Sequence, residues 1–301
     1  MKKIISWIFY GNFFYGICGI ALSLEGSLQQ SFPINSISFY VFIFCATVLY
    51  YLLAYLSEQS NGDKRNSRLT WYQKNRKAII TFAFLLTGIL FMISTSLILK
   101  CWQNILHLNF FNGLLLSIFP ITGLCYYGIN HKSVKRLSLR NIGWLKPFVI
   151  GFCWAGMVTI YPVFYYCLAH NLTYQVSALT VLLFIKNIMF ISMLSILFDI
   201  KDYATDSNRL LKTFIVKIGL RKTIFFIIIP LSILGLGSFI IYGSTHQFSL
   251  QKMLLNSLPF IALIMVAWSM QRRKSIFYYL IVIDGLMLLK AICGLVAKVY
   301  F

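Results

Sequence analysis

VSALTVLLFIKNIMFISMLSILFDIKDYATDSNRLLKTFIVKIG, residues 176–219, changes character halfway along. The run 176–198 is predominantly apolar with Lys186 its one charge, and about 20 such residues suffice to cross the hydrocarbon core of a bilayer as a helix. Directly after it come Asp199, Asp202 and Asp206, followed by Arg209, Lys212 and Lys217. The chain has only 7 Asp and Glu, so three of them this close together form a concentration. On a helix they fall at i, i+3 and i+7, which is one face. Clustered carboxylates repel one another unless a cation sits between them. Mg²⁺ takes oxygen ligands and commonly shares them with substrate phosphates. The array D-x-x-D-x-x-x-D beside basic residues therefore points to a Mg²⁺–diphosphate site. The plainer alternative is a helix end with its charges in water.

The rest of the sequence extends the pattern of that first half. The 301 residues are 59% hydrophobic and mean hydropathy is +0.78, a balance that belongs to membrane proteins rather than soluble domains. The spans expected are about 4–24, 36–56, 78–99, 105–127, 147–168, 176–198, 223–243, 251–270 and 276–297. In lipid every backbone polar group must bond internally, so these runs are helices. The fold class expected is all-α: one domain over 1–301, a bundle of about nine transmembrane helices. Lys2 and Lys3 lead into an apolar run without a clear small-residue cleavage site, which reads as a retained first helix rather than a removed signal.

A net charge of +20 suggests nucleic acid until its placement is seen. Arg65, Arg68, Lys74, Arg76 and Lys77 crowd one loop; Lys132, Lys135, Arg136 and Arg140 another; Lys212, Arg221 and Lys222 a third; Arg272 and Arg273 a fourth. The alternate connections near 25–35, 169–175 and 244–250 hold no Lys or Arg. This is the positive-inside pattern. It predicts an integral protein of the cell inner membrane, N-terminus cytoplasmic and C-terminus outside, in contact with membrane lipids and with no nucleic-acid partner. The 7 cysteines are scattered through apolar spans without metal-ligand spacing and read as packing residues.

The stretch DIKDYATDSNRLLKTFIVKIG (199–219) resembles the second aspartate-rich motif of the UbiA superfamily of intramembrane prenyltransferases. Asp199, Asp202, Asp206, Lys212, Thr213, Val216 and Gly219 fall in its register, while Ile215 replaces a proline. The resemblance implies a Mg²⁺-dependent transferase of alkyl groups other than methyl. It implies Asp199, Asp202 and Asp206 as catalytic metal ligands, with Arg68, Lys74 and Lys212 as cationic contacts for the diphosphate. A prenyl diphosphate and a lipophilic acceptor are the implied substrates, and the loops about 58–77 and 199–222 form the implied site. The first motif of that family departs here. In YYLLAYLSEQSNGDKRNSR (50–68) the alignment puts Tyr51, Tyr55 and Gln59 where Asn, Asp and Asp are expected, although Arg68 stands where a basic residue belongs. A non-catalytic relative that binds lipid or acts as a scaffold stays open on that ground.

Two charges inside spans stand apart. Asp284 in span 9 and Lys186 in span 6 are expensive in lipid and are functional candidates by default. Asp284 faces the cavity, pairs with Lys290 two turns on (i+6, not the same face), or pairs with another helix. A transporter would use such charges, but paired broken helices in matching halves are missing. Tyr161, Tyr165 and Tyr166 either shield a carbocation or simply pack.

Overall fold

The computed structural model describes residues 2–57, 67–127, 139–208, 212–271 and 274–301. Among them there is no strand. The helices are α1 (Lys2–Tyr10), α2 (Phe13–Gln29), α3 (Ile37–Ser57), α4 (Ser67–Lys74), α5 (Arg76–Lys100), α6 (Phe110–Tyr127), α7 (Lys146–Ala169), α8 (Ala178–Asn208), α9 (Leu220–Thr245), α10 (Leu250–Ser269) and α11 (Ile276–Val299). Eight are continuous candidate spans, and α1 with α2 makes a ninth that is bent by 59°. The chain is an all-α polytopic integral membrane protein.

The first span thus differs from the single helix expected over 4–24. Gly11 and Asn12 break it. Asn12 adopts a left-handed conformation, φ 65, and a Cβ on Gly11 would lie 2.3 Å from the Trp7 carbonyl. The break is held from α4. Tyr72 donates to the Tyr10 carbonyl at 2.9 Å and accepts from the Asn12 amide at 2.8 Å. Arg68 reaches the Phe9 and Tyr10 carbonyls and Asn12 Oδ1. A helix end leaves carbonyls without partners, and here a buried guanidinium and a phenol supply them.

The main core lies between α2, α7, α8, α9, α10 and α11, around Leu22, Val158, Phe190, Met193, Phe260 and Ile283. α5 is peripheral, with Phe84, Phe91 and Met92 exposed, as suits side chains facing lipid. Three spans contain a π-helical turn: Gly156–Ile160, Ile224–Ile228 and Tyr279–Ile283. Pro162 and Pro230 follow the first two. Each removes a backbone donor and locally loosens the ladder. At the first of these turns a side chain from the end of α2 joins in: Gln30 Nε2 donates to the Thr159 carbonyl at 2.8 Å.

The same turn explains Gly26. A Cβ there would sit 2.0 Å from the Val158 carbonyl oxygen, and neither backbone can retreat. Gly26→Ala is expected to destabilise by about 1–3 kcal/mol, the usual cost of overpacking. Gly113→Ala, where nothing lies within 4 Å of the added carbon, is the control. Thermal unfolding of the two variants in detergent checks the difference, and equal melting would refute the close packing of α2 on α7.

Candidate functional site at the basic end of the bundle

α8 runs without a break through Asn208. The backbone register therefore places positions 199, 202 and 206 on one helical face, as the spacing predicts. The side chains of Asp202 and Asp206, and the residues 58–66 with Gln59, lie outside the described part. Asp199 is buried, 2% exposed, and its Oδ1 is paired with the ammonium of Lys146 at the start of α7. Tyr126 on α6 lies within electrostatic reach of Lys146, Arg140, Asp199 and Tyr51.

The loop that follows is shaped by local chemistry. Thr213 accepts from the Val216 amide and caps the short helix Phe214–Ile218, a common use of a threonine hydroxyl. Gly219 ends that helix at φ 85 and ψ 159, a conformation reserved almost wholly for glycine. Gly143 lets the Lys212–Thr213 backbone pass, since a Cβ there would meet it at 2.5–2.7 Å. Lys212 and Lys74 are exposed at this end of the bundle.

On α3 the positions where the resemblance expects an Asn and an Asp carry aromatic rings. Tyr51 stacks on Tyr15 with centroids 4.7 Å apart, and its hydroxyl accepts from Trp154 Nε1 at 2.9 Å. Tyr55 packs on Tyr72, and its hydroxyl accepts from Arg68 Nη1 at 2.8 Å. The Arg68 guanidinium also lies 4.0 Å above the Tyr55 ring. Arg68, 2% exposed, is thus engaged by α1, α3 and the chain break.

Asp284 is 4% exposed and faces the Tyr15 hydroxyl, with Arg68 and Lys201 in electrostatic reach. It follows directly on the π-helical turn of α11, and such turns recur at functional sites. Asp284 therefore faces the aromatic cluster, while Lys290 pairs with Glu25 on α2. Sequence reasoning missed Glu25. It is visible in the sequence as an acid just past the expected end of the first span, but nothing local names its partner. Tyr161, Tyr165 and Tyr166 sit in the half of α7 away from Lys146, and pack. Tyr161 donates to Leu116 O at 2.6 Å, Tyr165 stacks on Phe39 at 4.8 Å and Tyr166 on His170 at 4.1 Å.

The donor set tests the metal expected from the resemblance. Among the described residues no group of three His, Cys, Asp or Glu converges. α3 offers Tyr51 and Tyr55, neutral hydroxyls already bonded to Trp154 and Arg68. A hard divalent cation needs several oxygens and usually carboxylates. The α8 face supplies these by residue type, and the α3 face does not.

No protein-family model matches the sequence, and no curated protein does. Among solved structures, a digeranylgeranylglyceryl phosphate synthase studied in membranes is similar in fold over 100% of both chains, with a TM-score of 0.56 at 14% identity.

Proposed function

We propose that the protein is a UbiA-like membrane prenyltransferase that binds a prenyl diphosphate at the basic end of the bundle, which faces the cytoplasm. The observation that carries the reading is the acidic face of α8. It occurs at the basic end of a fold shared along its whole length with a digeranylgeranylglyceryl phosphate synthase. The α8 face, Asp199, Asp202 and Asp206, would hold Mg²⁺ on one side of the diphosphate. Bound there, the metal would neutralise charge on the leaving group as a Lewis acid.

The chain's own residues have separate tasks in this reading. Lys212 and Lys74, both exposed at this end, meet the diphosphate oxygens. Lys146 holds Asp199 and fixes the start of that face. Arg68 adds positive charge from behind the tyrosines, its Nη1 and Nη2 being engaged by Tyr55 and Asn12. The allylic C–O bond of the prenyl diphosphate breaks, the diphosphate leaves with the bond electrons, and a lipophilic acceptor forms the new bond and gives up a proton. Tyr15, Tyr51, Tyr55 and Trp154 would keep water from the developing cation.

A second reading is favoured by the filled α3 side: a relative that binds a lipid diphosphate without turnover. One experiment addresses both. Asp202→Ala and Asp206→Ala are expected to weaken Mg²⁺-dependent binding of geranylgeranyl diphosphate by about 10–100-fold, as losses at other metal sites do. Equal binding in Mg²⁺ and in chelator would remove the metal from the proposal. Tight binding without release of diphosphate from geranylgeranyl diphosphate in the presence of lipophilic acceptors would favour the non-catalytic relative.

A further inference from the structure

The half of the bundle away from Asp199 contains charges that the diphosphate reading does not use. Lys290 Nζ lies 2.9 Å from Glu25 Oε1 and 2.7 Å from Oε2. Gln29 Nε2 donates to the same Oε1 at 2.9 Å. Both members of the ion pair are buried. A third charge, Lys186 on α8, lies within electrostatic reach of both. With a helical rise of about 1.5 Å per residue, Lys186 is about 12 Å inside the Ala178 end of α8, and Lys290 about 13 Å inside the Val299 end of α11. One level of the bundle therefore carries two ammonium groups and one carboxylate.

The carboxylate is already used. Lys290 and Gln29 occupy its oxygens, and among the described residues no carboxylate comes within ion-pair distance of Lys186. Its recorded contact is the Phe239 ring on α9, 5.0 Å from ammonium to centroid. A ring face offsets part of the cost of a cation in an apolar span; an oxyanion offsets more. Lys186 is also reachable. It is half-buried, and its neighbours Leu182 and Ile185 are 47% and 48% exposed toward lipid. On α9, Ile240 and Ile241 beside Phe239 are exposed in the same way.

We propose that Lys186, backed by Lys290, is the head-group site for an anionic amphiphile: a carboxylate or phosphate oxyanion carrying an apolar tail, entering from lipid between α8 and α9. The oxyanion cancels the surplus positive charge. The tail lies along Leu182, Ile185 and Ile240. Asp199 is 13 positions further along α8, about 20 Å by helical rise, so this site is separate from the diphosphate site and does not depend on it.

Oleate, oleyl alcohol and inorganic phosphate are the probes. Binding is read by native mass spectrometry and by the unfolding temperature of the whole protein in nonionic detergent. Oleate is expected to bind and stabilise, and oleyl alcohol, with the same tail and no charge, to do so at least about 10-fold more weakly. Lys186→Met is expected to weaken oleate by about 10-fold or more, the scale of one charge-assisted hydrogen bond, and Lys186→Arg to retain it. Lys186→Gln serves the same purpose should the Met variant fail to fold. Lys186-dependent binding of phosphate with no effect of oleate would keep the oxyanion site and move its source from the membrane to water. Equal effects of oleate and oleyl alcohol would overturn the proposal, as would undiminished oleate binding without Lys186. Lys186 would then be a lysine that merely bends its stem toward the membrane surface.

Discussion

Glu25→Gln is expected to destabilise the protein by about 3–5 kcal/mol, the usual cost of leaving one member of a buried ion pair alone. Lys290→Met should cost a similar amount for the converse reason, since it leaves the Glu25 carboxylate with the Gln29 amide and no cation bonded to it. The argument rests on solvation. Both groups sit in membrane-spanning helices and are almost wholly buried. Water therefore cannot take over the bond that either variant removes. α2 and α11 pack closely around the pair: a Cβ on Gly294 would meet Glu25 Oε1 at 2.4 Å. The double variant, Glu25→Gln with Lys290→Met, should recover most of the loss, because a neutral pair carries no desolvation cost. Equilibrium unfolding of the four proteins in detergent gives the coupling directly. A double variant whose loss equals the sum of the two single losses would refute an ion pair joining the two helices.

Glu25 and Lys290 also show where sequence reasoning stops. They are 265 residues apart, and periodicity says only that both are costly in lipid. Lys290 is one of the partners the sequence offers Asp284; the fold gives it to Glu25 instead, and Asp284 faces Tyr15. Spans were legible because hydropathy is local, and the α8 face because Asp199, Asp202 and Asp206 obey the helical period on an unbroken helix. Thr213 and Gly219 were read as parts of a resemblance; the fold gives them local reasons, a cap and a positive φ. The break at Gly11–Asn12 was hidden because its cause lies on α4, in Arg68 and Tyr72. Pro162 and Pro230 flag two π-helical turns, but nothing in the sequence around Tyr279–Ile283 flags the third. By the resemblance Tyr51 and Tyr55 stand in place of an Asn and an Asp of the first motif. They turn out to be load-carrying partners of Trp154 and Arg68, which side-chain type alone does not reveal.

Arg68 separates a strut from a substrate contact. Arg68→Met keeps much of the apolar stem and removes the guanidinium. Asn12 Oδ1, the Phe9 carbonyl and the Tyr55 hydroxyl each lose a donor. An unsatisfied buried polar group costs about 1–3 kcal/mol. The C-terminal carbonyls of α1 also lose a cation suited to their negative end. Allowing for partial relaxation, a loss of about 3–5 kcal/mol is expected, the range seen on removing one partner of a buried charged network. Arg68→Lys should recover only part of it, since a single ammonium cannot reach across α1 and α3 as a planar fork does. Binding of geranylgeranyl diphosphate to the molecules still folded at low temperature should change by less than about threefold, because a donor engaged by the protein contributes only through its field. The opposite pair of results, normal unfolding with diphosphate binding lost, would make Arg68 a direct contact for the ligand. It would also require its bonds to Asn12 and Tyr55 to give way when the ligand binds.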